Sequence, residues 1–235
     1  MILPSGILIR KYAPRDREAV RTLCCLTGFL GKPIDPVFED RELFADYLTR
    51  YYTDQEPESS FVIEQNGVVK GYLLGSRYPW KHQLFSVSQN FGLFFRALIR
   101  YQGYNESTRK FIHWILKNSW REVPAAPRRT AHFHFNLLPE VQSWKGTLAL
   151  INTYFEYLSS AGETAVFGQI VTFQSRRGAA LFERCGFRVV EKREITKYRN
   201  VYPEKVYLTT VIKQLPRRPF PPTAEVSAVS LSPRA

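Results

Sequence analysis

Residues 130–158 read TAHFHFNLLPEVQSWKGTLALINTYFEYL, and this stretch decides the fold. Its first part alternates strictly between apolar and polar positions, which predicts a strand from Thr130 to Leu138. After a loop that begins with Pro139, apolar side chains recur at helical spacing and predict a helix from Thr147 to Ser159. The buried stripe of this helix is expected to consist of Leu148, Ile151, Phe155 and Leu158. A strand that leads through a short loop into a helix is typical of α/β proteins.

The flanking sequence adds strands and helices on both sides of this unit. Further strands are predicted by alternating or apolar runs, and Asn66-Gly67 is a strong hairpin signal between two of them. These strands cover residues 7–12, 59–64, 68–74, 165–171, 189–195 and 205–212. Helical periodicity predicts helices over residues 15–27, 40–54, 90–101, 107–120 and 176–184. The expected fold class is α/β: a mixed, twisted sheet of about seven strands flanked by helices, with a helical insertion before the central strand.

Composition indicates a globular protein. The chain has 235 residues, of which 44% are hydrophobic and 23% are charged. One domain is expected over residues 1–214, with the insertion at about 78–129, followed by a disordered proline-rich tail over residues 215–235. No apolar run approaches the roughly 20 residues that span a bilayer, and the N-terminus does not resemble a secretory signal. The cysteines, Cys24, Cys25 and Cys185, lack metal-ligand spacing. A cytoplasmic protein that binds neither membrane nor metal is predicted.

The net charge of +12 is unevenly distributed along the chain. Residues 77–130 contain ten Lys or Arg and two acidic residues, whereas residues 35–64 contain nine acidic residues and two Arg. A basic surface attracts nucleic acid, anionic lipid or a phosphorylated cofactor. The acidic segment argues against a surface that faces nucleic acid uniformly, and the sequence contains no recognised nucleic-acid-binding motif. It favours a cationic small molecule or a basic peptide as the partner.

Two segments resemble motifs of the GCN5-related N-acetyltransferase (GNAT) superfamily. LLPEVQSWKGTLALINTYFEYL, at residues 137–158, resembles the central acetyl-CoA motif, in which a strand ends in a Q/R-x-x-G-x-G/A loop that opens a helix. SRRGAALFERCGF, from Ser175 to Phe187, resembles a second motif, A-x-x-x-Y-x-x-x-G-F preceded by Asn. The resemblance extends over about residues 7–213, and the insertion is similar to that of bacterial O-GlcNAcase-type acetyltransferase-like domains. It implies a GNAT fold and acetyl-CoA as co-substrate.

The resemblance also implies where acetyl-CoA binds. Main-chain groups of Asn136, Leu137 and Leu138 are expected to hold the thioester and the pantetheine arm. The loop that opens the helix is expected to hold the pyrophosphate, because a helix N-terminus offers free N–H groups and a partial positive charge. This loop comprises Gln142, Ser143, Trp144, Lys145, Gly146 and Thr147.

The loop departs from the motif, and three interpretations stay open. Lys145 and Thr147 stand where the motif has its first glycine and its second small residue, and Gly146 lies one place late. The loop is remodelled around Gly146, or Lys145 adds a side-chain cation, or the loop binds CoA poorly. Small residues matter here because they let the backbone approach a phosphate closely.

The second motif departs as well. Phe182 stands where much of the superfamily has a Tyr that protonates the departing thiolate, and a phenyl ring donates no proton. Ser175 corresponds to the Asn that holds the pantetheine arm, and its hydroxyl still forms hydrogen bonds. Arg177 is expected to contact the CoA phosphates, although a solvated basic turn is an equal alternative. General acid catalysis contributes on the order of 10²–10⁴ in rate, so Phe182 bears directly on activity.

The strand at residues 130–138 contains the candidate catalytic base. A period of two places His132, His134 and Asn136 on one face of the strand. This His-x-His resembles the arrangement in arylalkylamine-type GNATs, which implies that His134, with His132, accepts the proton of the attacking amine. An imidazole suits this role because its ordinary pKa lies near 6.5. The alternative is that both histidines are structural. His82 and His113 are interpreted as surface or insertion residues.

The predicted reaction is transfer of an acyl group from CoA to a primary amine of a small molecule or peptide, by a monomer or homodimer. Glu39 and Asp40, in the acidic segment, are expected to attract the protonated amine. One alternative is a GNAT-fold protein that binds CoA or another small ligand without turnover. A second alternative is a nucleic-acid-binding module that uses the basic insertion, for which binding would fall steeply with salt.

Overall fold

The computed structural model describes residues 6–174, 182–183 and 185–216. Its strands form one sheet in the order β1-β2-β3-β4-β5-β7-β6. Neighbouring strands are antiparallel except β4 and β5, which are parallel. The strands are β1 (Ile7–Lys11), β2 (Ser60–Gln65), β3 (Val68–Ser76), β4 (Ala131–Leu137), β5 (Ala165–Phe173), β6 (Arg188–Glu194) and β7 (Val206–Gln214). The α/β class and the mixed seven-stranded sheet predicted from the sequence are confirmed.

Helices cover both faces of the sheet. They are α1 (Arg17–Thr27), α2 (Arg41–Asp54), α3 (Pro79–Arg100), α4 (Glu106–Lys117), α5 (Ser119–Glu122) and α6 (Trp144–Ser160). None of the helices in the described part of the chain combines the length and the hydrophobicity needed to cross a membrane. The segment between β3 and β4 is helical, as predicted, and its similarity to the insertion of particular relatives stays a prediction.

The starts of two helices differ from the prediction in a way that affects the candidate site. Helix α3 begins at Pro79 rather than Asn90, because proline at the first helical position needs no hydrogen-bonded N–H. Helix α6 begins at Trp144 rather than Thr147, because Ser143 caps it: the Ser143 side chain accepts a hydrogen bond from the Gly146 amide at 3.0 Å. The candidate pyrophosphate loop therefore includes the first turn of α6 itself.

Period-2 alternation in the central strands separates two apolar cores. On one face, Val62 and Tyr72 pack with α1 and α2. On the other face, Phe61, Leu73 and Phe133 pack with α6. Because β4 lies between these cores, side chains on opposite faces of β4 enter different environments. The face of β4 that carries the histidines is turned toward α2, as the contacts of Tyr52 described below show.

The C-terminal end of the domain extends beyond the predicted boundary. Leu215 is buried, and its amide donates a hydrogen bond to the carbonyl of Thr164 at 2.8 Å. Residue 215 therefore belongs to the packed domain and not to the tail. The rest of the predicted tail, residues 217–235, lies outside the described residues.

The acidic and basic segments neutralise each other inside the protein. Asp46 in α2 accepts from Arg21 of α1 and from Arg96 of α3, each at 2.5 Å. Asp40, the N-cap of α2, accepts from Arg100 at the end of α3 at 2.8 Å. Burial by itself would raise the pKa of Asp46, but these guanidinium groups outweigh it and hold that pKa below its ordinary value. These ion pairs fix α3 against α2.

Substitution of Gly75 tests the close packing of β3 against α6. A Cβ atom at Gly75 would lie 2.3 Å from the Tyr154 ring, which is fully buried and cannot move away. We expect Gly75→Ala to lower the free energy of unfolding by about 1–3 kcal/mol, the usual cost of overpacking. Urea denaturation followed by circular dichroism measures this change.

Gly92→Ala is the matched control, because a Cβ at Gly92 in helix α3 meets nothing within 4 Å. Alanine is the better helix former by about 0.5–1 kcal/mol, so this variant is expected to be at least as stable as the wild type. Equal stability of the two variants would contradict the packing described for Gly75.

Candidate active site

The sheet opens between β4 and β5, and the candidate site surrounds this opening. Their parallel ladder contains only three pairs and ends at Phe133 opposite Gly168. Beyond that point, β4 stays paired with β3 as far as Leu137 opposite Gly71, and β5 stays paired with β7 as far as Phe173. Each strand follows its outer neighbour, so the two halves of the sheet diverge. The inner edge of β4 is thereby left without a strand partner after Phe133.

A groove of about 510 Å³ lies between the start of α6 and the residues Phe182, Cys185 and Phe187, which precede β6. Of the predicted cofactor residues, Gln142, Ser143, Trp144 and Thr147 line it. Gly146 is buried beneath the first turn, where an added Cβ would approach the Ser143 hydroxyl and the Val141 carbonyl to 3.1 Å. The remaining walls are largely apolar and consist of Phe135, Leu148, Ile151, Asn152, Phe155, Phe182, Cys185, Phe187 and Lys213.

The first turn of α6 offers free donors to this groove. Among the described residues, the amides of Trp144 and Lys145 have no hydrogen-bond partner, whereas Gly146 and Thr147 donate to Ser143. The exposed Lys145 side chain has no acidic partner among the described residues either. A cation at the positive end of a helix is unfavourable on its own, and a bound anion reverses this effect. The residues present therefore fit a phosphate group.

The structure places the three main-chain candidates differently. Asn136 and Leu137 lie in β4 beyond the end of the β5 ladder. Both main-chain groups of Leu138 form hydrogen bonds within the chain. Its amide donates to the Lys70 carbonyl, and its carbonyl accepts from the amides of Val141 and Gln142. Leu138 thus shapes the loop and has no free main-chain group for a pantetheine arm. The Asn136 side chain donates to the Tyr72 hydroxyl at 2.7 Å.

On the face of β4 that is turned toward α2, His132 of β4 and His82 of α3 both contact Tyr52 of α2. The Tyr52 hydroxyl lies 2.9 Å from Nε2 of His132 and 3.3 Å from Nε2 of His82. The rings of His82 and His132 are themselves in edge-to-face contact, with centroids 4.6 Å apart. Because a hydroxyl has one proton, Tyr52 donates to one imidazole and accepts from the other. The three side chains form a continuous hydrogen-bonded chain from α3 to β4.

His134 lies next to this chain but outside it. Its ring contacts Tyr52 and Tyr72 edge-on, with centroids 5.0 and 5.9 Å apart. Its Nε2 is buried and has no hydrogen-bond partner among the described residues. A buried polar atom without a partner costs free energy.

Burial keeps all three imidazoles neutral at physiological pH. Loss of solvation, together with the nearby His82 and His134, lowers the pKa of His132 to about 3. Burial, with the charge of His82, lowers the pKa of His134 to about 4. Burial likewise lowers the pKa of His82, although a nearby Glu56 opposes it. Burial raises the pKa of Tyr52, which therefore stays protonated.

Neutral imidazoles and a protonated tyrosine can pass a proton along the hydrogen-bonded chain of His132, Tyr52 and His82. A neutral imidazole nitrogen is able to accept a proton, and the lowered pKa makes each histidine a weaker base than one that titrates near the working pH. His132 can hand it through Tyr52 to His82. His82 lies on the wall of a cleft of about 1400 Å³, in which solvent takes the proton up. His132 also lines this cleft, whereas His134 does not.

The cleft is basic, contrary to the charge expected at the acceptor site. Arg128 and Arg129 line it, both exposed and both without an ion pair among the described residues. None of the described residues that line it is acidic. Its other walls are mainly aromatic or small: Tyr52, Pro79, Trp80, Gln83, Ser86, Ala126, Pro127, Phe167 and Gln169.

Glu39 and Asp40 are not in this cleft. They line a separate shallow depression, and their carboxylates are bound within the protein. Glu39 accepts from the amide and the side chain of Asn105, and Asp40 accepts from Tyr104 at 2.6 Å and from Arg100. The acidic segment is used to build α2 and to hold α3 and α4, so these residues have no carboxylate oxygen free of such contacts to receive an acceptor amine.

Sequence analysis missed Tyr52, His82 and the two arginines. His82 was interpreted as a surface or insertion residue, and the helix that contains it was expected to start only at Asn90. Pro79, read as the first helical residue, was the available signal, since it places His82 in the first turn facing α2. Ser175 and Arg177 of the second motif lie outside the described residues. No group of three or more His, Cys, Asp or Glu in the described segments is arranged to hold a metal.

Comparison with known proteins identifies the fold. No family model matches the chain. Among solved structures, SsHAT is 24% identical, with 89% of this chain and 98% of that chain covered and a TM-score of 0.55. A putative acetyltransferase, yncA from Salmonella typhimurium, solved with acetyl-CoA, is 15% identical over 94% and 99% of the two chains, with a TM-score of 0.52. The polyamine N-acetyltransferase of Drosophila melanogaster is 14% identical over 89% and 100%, with a TM-score of 0.53. The chain has the GNAT fold.

The buried histidines predict a pH dependence of stability. The unfolded chain binds a proton at each histidine below about pH 6.5, whereas folded His134 stays neutral down to about pH 4. The unfolded state binds more protons in this window, so the free energy of unfolding falls as the pH falls from about 6.5 to about 4. In His134→Phe, which keeps a ring but does not titrate, we expect a slope smaller by up to about 1.4 kcal/mol per pH unit. Urea denaturation at several pH values measures it, and an unchanged slope would contradict a buried neutral His134.

Proposed function

We propose that this protein is an acetyl-CoA-dependent N-acetyltransferase that acts on a primary amine. The observation that carries the proposal is the position of two sites on either side of one opening in the sheet. The donor-rich groove at α6 and the histidine cleft adjoin the divergence of β4 from β5. The neighbours with the same fold include a polyamine N-acetyltransferase and a putative acetyltransferase that was solved with acetyl-CoA.

The groove is suited to the CoA part of the donor. The amides of Trp144 and Lys145, together with the Lys145 side chain, would hold the pyrophosphate at the positive end of α6. The apolar walls around Ile151 and Phe155 would take the pantetheine arm, and the inner edge of β4 at Asn136 and Leu137 would bind its amides. Acetyl-CoA supplies the acyl group as a thioester.

The histidine cleft is suited to the amine. His132 would accept the proton that the amine releases on attack, and Tyr52 and His82 would conduct that proton to the solvent. We assign the base to His132 because it lines the cleft. His134, the candidate from the sequence, does not line the cleft and would act by positioning Tyr52.

The acceptor we propose is an amine that also carries an anionic group. Arg128 and Arg129 are unpaired cations on the wall of the cleft, and guanidinium groups bind carboxylates and phosphates through paired hydrogen bonds. Trp80 and Phe167 would pack against an apolar portion of the acceptor. This replaces the cationic acceptor expected from the acidic segment.

The alternative function is binding of CoA or another ligand without turnover. Phe182 favours it, since this side chain lies on the groove wall and packs edge-on against Phe187, so it donates no proton to a leaving thiolate. Release of free thiol from acetyl-CoA in an amine screen distinguishes the two functions. Thiol release above the amine-free rate supports the transferase, whereas acetyl-CoA binding without thiol release favours the alternative.

Removal of the base is expected to lower kcat with little effect on acetyl-CoA affinity. General base catalysis contributes about 10²–10⁴-fold, so His132→Ala should lose that factor in kcat in the thiol-release assay. Tyr52→Phe, which breaks the relay but keeps the ring, should lose roughly tenfold or more. His113→Ala is the control, because His113 contacts Tyr101 on the surface and not the cleft. Unchanged turnover in His132→Ala would overturn the assignment.

Removal of the two arginines is expected to change acceptor preference. In the Arg128→Ala/Arg129→Ala double variant, KM should rise at least tenfold, about 1.4 kcal/mol, for amines that carry a carboxylate or phosphate. KM for neutral amines of similar size should change little. The controls are Lys117→Ala and Arg121→Ala. These residues lie in the same segment between β3 and β4 as Arg128 and Arg129, but they do not line the cleft. An equal change for both classes of amine would contradict anion recognition.

A further inference from the structure

Helix α3 exposes a continuous apolar stripe with heptad spacing. Six apolar residues follow each other at intervals of four, three, four, three and four residues: Trp80, Leu84, Val87, Phe91, Phe94 and Leu98. All six are exposed, from 44% for Phe94 to 66% for Trp80. Intervals of three and four are those of the a and d positions of a coiled coil, which meet a partner helix. A solvent-facing helix would instead carry polar or charged residues on this side.

The stripe is large for a monomer. With Phe95 and Ile99 beside it, exposed at 57% and 82%, its accessible area is on the order of 1000 Å². Typical monomers leave apolar patches of about 300–600 Å², and a standard interface takes about 800 Å² from each partner. A groove of about 530 Å³ between α2, α3 and α4 adjoins the stripe and shares Val87, Phe91 and Phe94 with it. The groove can receive side chains from a facing helix.

The charges of helix α3 indicate which kind of partner the stripe binds. Residues 83–95 contain no Asp, Glu, Lys or Arg. The three cations of α3 are bound within the chain: Lys81 donates to the Gln55 carbonyl, Arg96 to Asp46 and Arg100 to Asp40. An anionic membrane would be met by free Lys and Arg along the apolar face, whereas the free Arg128 and Arg129 lie beside its Trp80 end. A neutral stripe, by contrast, is complementary to itself, since two copies face each other without like-charge repulsion.

We propose that α3 is the interface of a homodimer in which the stripes of two copies of this chain pack together. Closed two-fold dimers are the commonest homo-oligomers, and a self-complementary patch is what they require. The dimer would leave the α6 groove outside the interface, since no residue of that groove belongs to α3. The proposal depends on the exposed residues of α3, of which Trp80 alone among the six of the stripe also lines the histidine cleft.

Sedimentation equilibrium of the full chain tests this proposal. The wild type is expected at about twice the chain mass of 27.3 kDa. The Phe91→Glu/Leu98→Glu variant is expected at the monomer mass, with a dimer dissociation constant at least a hundredfold higher. Since both residues are exposed, its circular dichroism and its cooperative thermal transition should match those of the wild type. A second variant, Leu84→Glu/Phe94→Glu, provides the same test if the first one fails to fold.

Val68→Glu is the matched control, because Val68 is 54% exposed at the start of β3 and lies outside the stripe. It should remain a dimer. A monomeric wild type, or a folded stripe variant that is still dimeric, would overturn the proposal. Co-sedimentation of a monomeric wild type with phosphatidylserine-containing vesicles, lost in the stripe variant, would overturn it in favour of a lipid surface.

Discussion

The parting of β4 from β5 is the constraint on which the arrangement of the molecule depends. Only three residue pairs join these strands, whereas β4 pairs with β3 from His132 to Leu137 and β5 pairs with β7 along its whole length. A closed ladder would consume the main-chain groups of β4 and bring the two halves of the sheet together. The groove at α6 lies on one side of this opening, and the cleft of His132 lies on the other side. Both sites owe their positions to the sheet more than to the loops around them.

The helices α1 to α3 turn this opening into an enclosed site. Ion pairs of Asp46 and Asp40 with arginines hold α3 on α2, which brings His82 to Tyr52 and both to His132. The same packing removes water from the imidazoles and keeps them neutral. These charged residues thus act on the site indirectly: they position Tyr52 and His82, whereas the acceptor recognition that we propose depends on Arg128 and Arg129.

Sequence reasoning predicted the succession of strands and helices along the chain, the two faces of β4 and the helix that follows it, because period-2 and period-3.6 patterns are local and strong there. It could not predict the fate of the acidic segment, since whether a carboxylate faces a ligand or an arginine of the same chain depends on packing between distant elements. Tyr52 and His82 were missed for the same reason: they are far apart in sequence and meet only after α3 docks. The start of α6 was misplaced because the Ser143 cap overrode the weaker apolar pattern.

We propose that acetyl-CoA binds in the groove beside α6, and calorimetric titration of the wild type and two variants measures this binding. Asn152 lines the groove and Glu156, one turn later on α6, does not, and both are exposed. We expect saturable binding to the wild type and wild-type affinity for Glu156→Trp. Asn152→Trp is expected to bind acetyl-CoA at least tenfold more weakly, which corresponds to about 1.4 kcal/mol. No saturable binding to the folded wild type, or equal affinity of all three proteins, would contradict it.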